Sequence, residues 1–210
     1  RGWRHVVNLL SPASSYFAPL MELAVQRADR PIRTVALLHG ARGTFPAAVT
    51  DGAEAHARAL GLQVALRAAY PEQAAPPQPA GETSPPQPPS PARRGGSNGL
   101  QALVQELAAR RPDVILGVGT TDADIAFARE VRSQGLKPAV IGLVAAAVQP
   151  FQDALGADAD GFCGPSQWEP TLRDQPEIGP TSAEFAQAFR ARFGVQPDYT
   201  AAQAYAAGLI

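Results

Sequence analysis

The chain has 210 residues, 45% of them hydrophobic, and a formal net charge of −1. That length supports one large or two small domains with a sizeable core, and the near-zero charge gives no long-range field that would draw in nucleic acid or an anionic membrane. Cys163 is the only cysteine, so no internal disulfide framework or cysteine cluster at metal-ligand spacing is possible, and no apolar run reaches the roughly 18 residues of a membrane span.

The chain starts at Arg1 without a start Met or signal peptide and stops in the apolar AAQAYAAGLI; it reads as an internal piece of a longer protein. RTVALLHG (33–40) is a short apolar run that predicts a strand, and TFPAAVTDGAEAHARALG after it predicts a helix stopped at Gly61. LQVALRAAY (62–70) is the next strand. Residues 71–97 carry nine of the 21 prolines and almost no large apolar residue, so they predict a disordered or polyproline-like surface insertion.

LQALVQELAARR places Leu100, Leu103, Val104, Leu107 and Ala108 on one helical face. DVILGVG then predicts a strand. TDADIAFAREVRSQG follows as a helix with Ile125, Ala128 and Val131 inward and Gly135 as its stop. PAVIGLV (138–144) is a further strand, AAAVQPFQDALG a helix, and DGFCGPSQW (160–168) a last extended segment. Strands alternating with helices, each strand apolar throughout, predict an α/β fold with a parallel doubly wound sheet between two helical layers. The tail breaks the alternation with two successive helices, TSAEFAQAFRARFG, capped by Thr181 or Ser182, and DYTAAQAYAAGLI.

In an open parallel sheet, ligands bind outside the carboxyl ends of the strands, where loops and helix N-termini converge. Three such ends are legible: HGARGTF (39–45), GVGTTD (117–122) and GLVAA (142–146). The second is not a dinucleotide turn, because the third glycine of G-x-G-x-x-G is replaced by Asp122, whose charge would repel a pyrophosphate. No G-K-[ST] follows, which excludes a P-loop. Free backbone N–H groups with the hydroxyls of Thr120 and Thr121 could hold an anionic or polar group, or either Thr could simply be the helix N-cap. Asp122 and Asp124 read as first-turn carboxylates favoured by the helix dipole, His39 as a satisfied histidine, and Cys163 as a buried inert thiol. No nucleophile elbow, catalytic constellation, metal cluster or cofactor motif emerges.

SPASSYFAPLMELAVQ, VALLHGARGTFPAAVTDGAEAHARALG, DVILGVGTTDADIAFAREVRSQGLKP, GPSQWEPTL and TSAEFAQAFRARFGVQPDYTAAQAYAAGLI, in that order, resemble the periplasmic substrate-binding proteins of the branched-chain amino-acid (Leu/Ile/Val-binding) type, receptors for ABC importers. The resemblance covers nearly the whole chain apart from the Pro-rich insertion. It implies the type I periplasmic-binding fold, two α/β lobes that close like jaws about hinge strands, with residues 1–10 a hinge strand, 11–160 the second lobe, 161–170 the return through the hinge, and 171–210 helices of an incomplete first lobe. It implies ligand contacts from the turn carrying Thr44 and Phe45, from Thr120 or Thr121, and from Val144, the position where the family places an acid that pairs with the ligand ammonium; Tyr16 and Trp168 are further aromatic candidates.

No Asp or Glu lies between Glu130 and Asp153, and a buried ammonium without a carboxylate partner costs several kcal/mol. The resemblance therefore implies a small-molecule ligand, an amino acid or preferably a related organic acid or amide. It also implies ABC permease subunits as partners, no cofactor, no metal and no enzymatic activity. The location would be periplasmic, with membrane contact only through the permease or a lipid anchor outside this piece. The alternatives are a ligand-sensing domain of the same fold in a receptor or regulator and, less favoured, a nucleotide-using or hydrolytic α/β enzyme.

Overall fold

The computed structural model describes residues 11–41, 43–71 and 96–209; the expected hinge strand at 1–10 and nearly all of the Pro-rich stretch at 71–97 lie outside them. Five strands, β1 (Thr34–His39), β2 (Gln63–Ala69), β3 (Val114–Val118), β4 (Val140–Leu143) and β5 (Phe162–Cys163), form one sheet in the order β2-β1-β3-β4-β5. Every pairing is parallel. Seven helices accompany them: α1 (Ala18–Arg27), α2 (Thr44–Ala59), α3 (Gly96–Arg110), α4 (Thr121–Ser133), α5 (Gln149–Leu155), α6 (Ser182–Phe193) and α7 (Tyr199–Ala207).

Strand alternation sorts the core into two layers. Ala36, Leu38 and Ile115 face α3, α4 and α5, packing with Leu103, Val104, Leu107, Phe127, Val131 and Phe151. Val35, Leu37, Val114, Leu116 and Val118 face α1 and α2, packing with Phe17, Met21, Val49 and Ala53. All five residues of β3 are buried, as a central strand covered on both sides requires. Two glycines admit the helical layer on the α1 side. A Cβ on Gly142 would stand 2.6 Å from Leu20 Cδ2, and one on Gly52 would run into the backbone of Ser14, in the 3-10 turn that leads to α1.

At the amino edge Asp113, just ahead of β3, gathers the chain. It accepts hydrogen bonds from Arg33 N (2.9 Å), Thr34 N (3.0 Å) and Thr34 Oγ1 (3.0 Å), and it pairs with Arg30. Burial alone would raise its pKa, but these donors together hold it below the ordinary carboxylate value.

The predicted α/β alternation and helix stops hold, with Gly61, Gly135 and Gly194 at φ of +76°, +64° and +74°. Several details differ. The fourth strand ends at Leu143, and Val144–Ala147 forms a 3-10 turn that separates it from a shorter α5. Only Phe162–Cys163 of the last extended segment joins the sheet, and as a two-residue edge strand it leaves Cys163 exposed rather than buried. Ala108, expected inward, is exposed, at the flank of the buried stripe formed by Leu103, Val104 and Leu107.

Gly117, in mid-β3, is required by a neighbour. A Cβ there would collide with the Tyr70 hydroxyl and lie 2.8 Å from Leu143 Cδ2. Gly117→Ala is expected to lower stability by about 1–3 kcal/mol, read by chemical denaturation. Adding Tyr70→Phe, which removes the colliding oxygen, should recover part of that loss; additivity of the two substitutions would contradict the contact.

Candidate functional site

The strand order reverses between β1 and β3: β1 leads outward to β2, and the chain then crosses back to β3. The connections after these two strands leave on opposite faces, α2 on one and α4 on the other, which opens a crevice at their carboxyl ends. Two backbone bonds hold this edge together, Gly40 N to Val118 O (2.7 Å) and Tyr70 N to His39 O (2.7 Å).

Each candidate residue can be placed on this edge. Thr44 is the first residue of α2, whose N-cap Gly43 has φ +101° and offers no side-chain cap. Phe45 follows with 42% of its surface exposed, its ring edge-on to Tyr16 at 5.4 Å. Thr120 is the N-cap of α4, its Oγ1 accepting from Ala123 N at 3.2 Å, which leaves Thr121, the first residue of that helix and half-buried, as the freer hydroxyl. Val144 opens the 3-10 turn after β4, half-buried against the same core layer as Tyr16. The turns after β1, β3 and β4 therefore carry Thr44, Phe45, Thr121 and Val144 along one edge of the sheet, with Tyr16 against Phe45. His39 stands behind them with Nδ1 bonded to Gly40 O (2.9 Å).

Trp168 lies apart from this set. Its indole N–H donates to Ser182 Oγ (2.9 Å) and its ring meets Phe185 edge-on at 5.5 Å, tying the segment after β5 to α6. With Val148, Gln152, Pro197 and Tyr199 it lines a groove of about 350 Å³ between the turn after β4 and the start of α7. Phe45 and Thr120 are exposed at the carboxyl edge, so the strand-end turns form a shelf open to solvent.

Sequence reasoning did not find the polar groups that join these pieces. Gln167 is a hub: its Nε2 donates to the Tyr16 hydroxyl (2.9 Å), while its Oε1 accepts from Ser11 N (2.9 Å) and Gln203 Nε2 (3.1 Å). It thus links the turn ahead of α1, the segment after β5 and α7. Asp198 caps α7 through Ala201 N (2.9 Å). Asp198 carries the ordinary signal of an Asp just ahead of a predicted helix, whereas Gln167 has no local pattern that marks it.

The second omission is the burial of Asp124, a first-turn carboxylate of α4 as expected but fully buried. Its Oδ2 accepts from Ala145 N at 3.0 Å, inside the turn that Val144 opens. Its Oδ1 lies beside the Tyr70 hydroxyl, both atoms buried and the pair short of hydrogen-bond geometry. A Cβ on Gly119 would stand 3.0 Å from Asp124 Oδ1 and 3.0 Å from the Tyr70 ring. The two glycines of GVG make room for Tyr70 and Asp124 behind the turn. A glycine inside a strand pattern was the available signal, since it marks close approach of another group.

Burial pushes the Asp124 carboxyl up to about 7, against the opposing pull of Ala145 N–H, the Tyr70 hydroxyl and Gly119 N–H. Burial and the neighbouring Asp124 likewise raise the Tyr70 hydroxyl well above its ordinary value.

A sequence model of the periplasmic binding protein family matches residues 92–210, more than half of the chain. The chain belongs to the periplasmic binding protein family. Solved structures agree in fold. A leucine-, isoleucine-, valine-, threonine- and alanine-binding protein from Brucella ovis, in closed conformation, superposes with a TM-score of 0.65 at 14% identity, over 90% of this chain and 41% of that one. A leucine-binding protein from Thermotoga maritima gives 0.63 at 15% identity, over 89% and 45%. An ABC transporter substrate-binding protein from Desulfitobacterium hafniense, in complex with Leu, gives 0.60 at 18%, over 93% and 47%. The chain spans less than half the length of these proteins, and at such identities the likeness is one of fold.

The raised Asp124 pKa sets the sign of a stability effect. Because the folded state favours the protonated acid, this group's contribution is fully present below the unfolded value of about 3.9 and is lost as pH rises through about 7. Asp124→Asn keeps the shape and cannot ionise, so its stability relative to the parent should rise between about pH 4 and pH 7 and level off above, by a few kcal/mol at most. Thermal melts of both proteins across that range check this; a pH-independent difference would contradict the shift.

Proposed function

We propose that the chain is part of the solute-binding component of an ABC importer, which captures a small organic solute between two lobes by hinge closure and presents the closed form to the permease. The observation that carries this reading is the shelf at the carboxyl ends of β1, β3 and β4, flanking the point where the strand order reverses, in a chain of the periplasmic binding protein family. Residues 11–160 form the second lobe and supply one wall of the cleft. Residues 161–170 return through the hinge, and α6 and α7 belong to the first lobe, which supplies the other wall. The location is extracytoplasmic, and no covalent chemistry is involved.

On the shelf, Phe45 and Tyr16 supply apolar and aromatic contact, Thr44 and Thr121 supply hydroxyls, Thr120 orders the α4 N-terminus, and Val144 closes the site from β4. Trp168 holds the seam to α6 and frames the neighbouring groove. The turn after β4 carries no carboxylate, so nothing there compensates the desolvation of a ligand ammonium. The solute is therefore a small aliphatic or aromatic carboxylic acid, or an amide, rather than an α-amino acid.

Calorimetric titration of the full-length protein with α-amino acids and their des-amino analogues tests this. The des-amino acids should bind at least tenfold tighter than the matching amino acids; the reverse order would overturn the ligand class, and no binding by either would overturn the solute-binding reading for both. Val144→Glu should shift the preference toward the amino acid by about tenfold or more, the scale of a charge-assisted bond. Phe45→Ala should weaken whichever solute binds by about tenfold, the scale of one lost aromatic contact.

A further inference from the structure

Asp124 sits where an ionisable group is costly. Two backbone N–H groups and a hydroxyl face it, donors that suit a carboxylate; an asparagine of the same shape would avoid burying a charge but would turn its amide N–H toward one of them. It also joins two pieces of the candidate site that touch the sheet separately. Its own helix starts at the Thr120–Thr121 turn, and its Oδ2 holds Ala145, the residue next to Val144. Gly117 and Gly119 lack side chains where Tyr70 and the carboxyl need the space, so the arrangement is built into three separate segments of the chain.

We propose that Asp124 is a positioning residue of the ligand site: its buried carboxylate braces the β3–α4 turn against the turn after β4, and solute affinity is higher when that carboxylate is ionised. This rests on the solute-binding reading above. As a carboxylate, Asp124 accepts from Ala145 N–H at Oδ2 (3.0 Å); Gly119 N–H and the Tyr70 hydroxyl favour its charged form, and a rotation of that hydroxyl lets Oδ1 accept from it. Protonated, it must place its own hydrogen; among the described residues the only side-chain oxygen facing it is that of Tyr70, whose hydrogen is then left without an acceptor, and a backbone tether weakens. The proton exchanges with solvent.

Tyr70, after β2, is the one titratable side chain among the described residues that bears on Asp124. The β3–α4 turn and the turn after β4 face it with backbone N–H groups only, and on its own helix Asp122 is exposed two residues away. Because Asp124 is out of water, its effect on Thr121 and Val144 is transmitted by backbone placement rather than by direct contact with the solute.

The test uses the full-length, isotope-labelled protein between pH 5.5 and 8.5. The Asp124 carboxyl carbon and the amide signals of Ala145 and Gly119 should titrate together with one midpoint near neutrality. Asp124→Asn should abolish the shared titration, and Tyr70→Phe, which removes a donor to the ionised form, should raise the midpoint. Affinities for leucine, phenylalanine, isovalerate and phenylacetate, none of which changes charge between pH 5.5 and pH 8, are measured in parallel at those two values. For whichever binds, the parent should bind severalfold tighter at pH 8, and Asp124→Asn should show little pH dependence. Amides that do not follow the carboxyl, or an Asn variant that keeps the parent's pH dependence of affinity, would overturn the brace. If none of the four solutes binds, the ligand class has failed instead, and the brace is decided by the amide titration alone.

Discussion

The parallel pairing of β3 with β1 on one side and β4 on the other governs the rest of the molecule. Parallel strands all end at the same edge, and each must be followed by a crossover that returns outside the sheet. The turns after β1, β3 and β4 are therefore delivered together, although Phe45, Thr121 and Val144 are far apart in sequence. Because α2 and α4 leave on opposite faces, the space between their starts stays open. The same pairing buries β3 on both sides, which is why VILGV carries no polar residue and why a glycine can sit in its middle.

That glycine connects the fold to the site. Tyr70 reaches across β3 into the space Gly117 leaves, and Asp124 fills the space beside Gly119. A carboxyl pushed up to about 7 by burial and pulled back by two backbone N–H groups and a phenol is balanced between two protonation states near neutrality. It lies one residue from Val144's turn through Ala145 and one helical turn from Thr121. Stability alone favours its neutral form, whereas the tethers between the turns are strongest in its ionised form, so the two requirements pull in opposite directions as pH changes. Buried ionisable groups placed at ligand-facing turns often show such a conflict.

Much of this was legible from local pattern. The apolar runs, the Thr120 and Thr181 caps, the stops at Gly61, Gly135 and Gly194, and the order of motifs that resembles the branched-chain type all depend on neighbouring residues or on sequence order. Other features depended on segments far apart. Cys163 looked buried because its neighbours are apolar, but β5 is a two-residue edge strand with nothing outside it. The partners of Trp168, with its indole N–H on Ser182 and its ring at a groove beside α7, come from segments that no local pattern joins. Gln167 gave no signal, since its three partners come from Ser11, Tyr16 and Gln203.

The sequence by itself determined the class of fold, the position of each turn and the lack of a carboxylate after β4, because hydrophobic period, glycine stops and residue identity are properties of short stretches. Only the tertiary structure decided what lies behind those turns. Whether the second carboxylate of TDAD faces water or a tyrosine 54 positions away depends on how α4 settles on the sheet. That docking is set by the packing of Phe127, Val131 and Leu143 across segments that no local pattern relates.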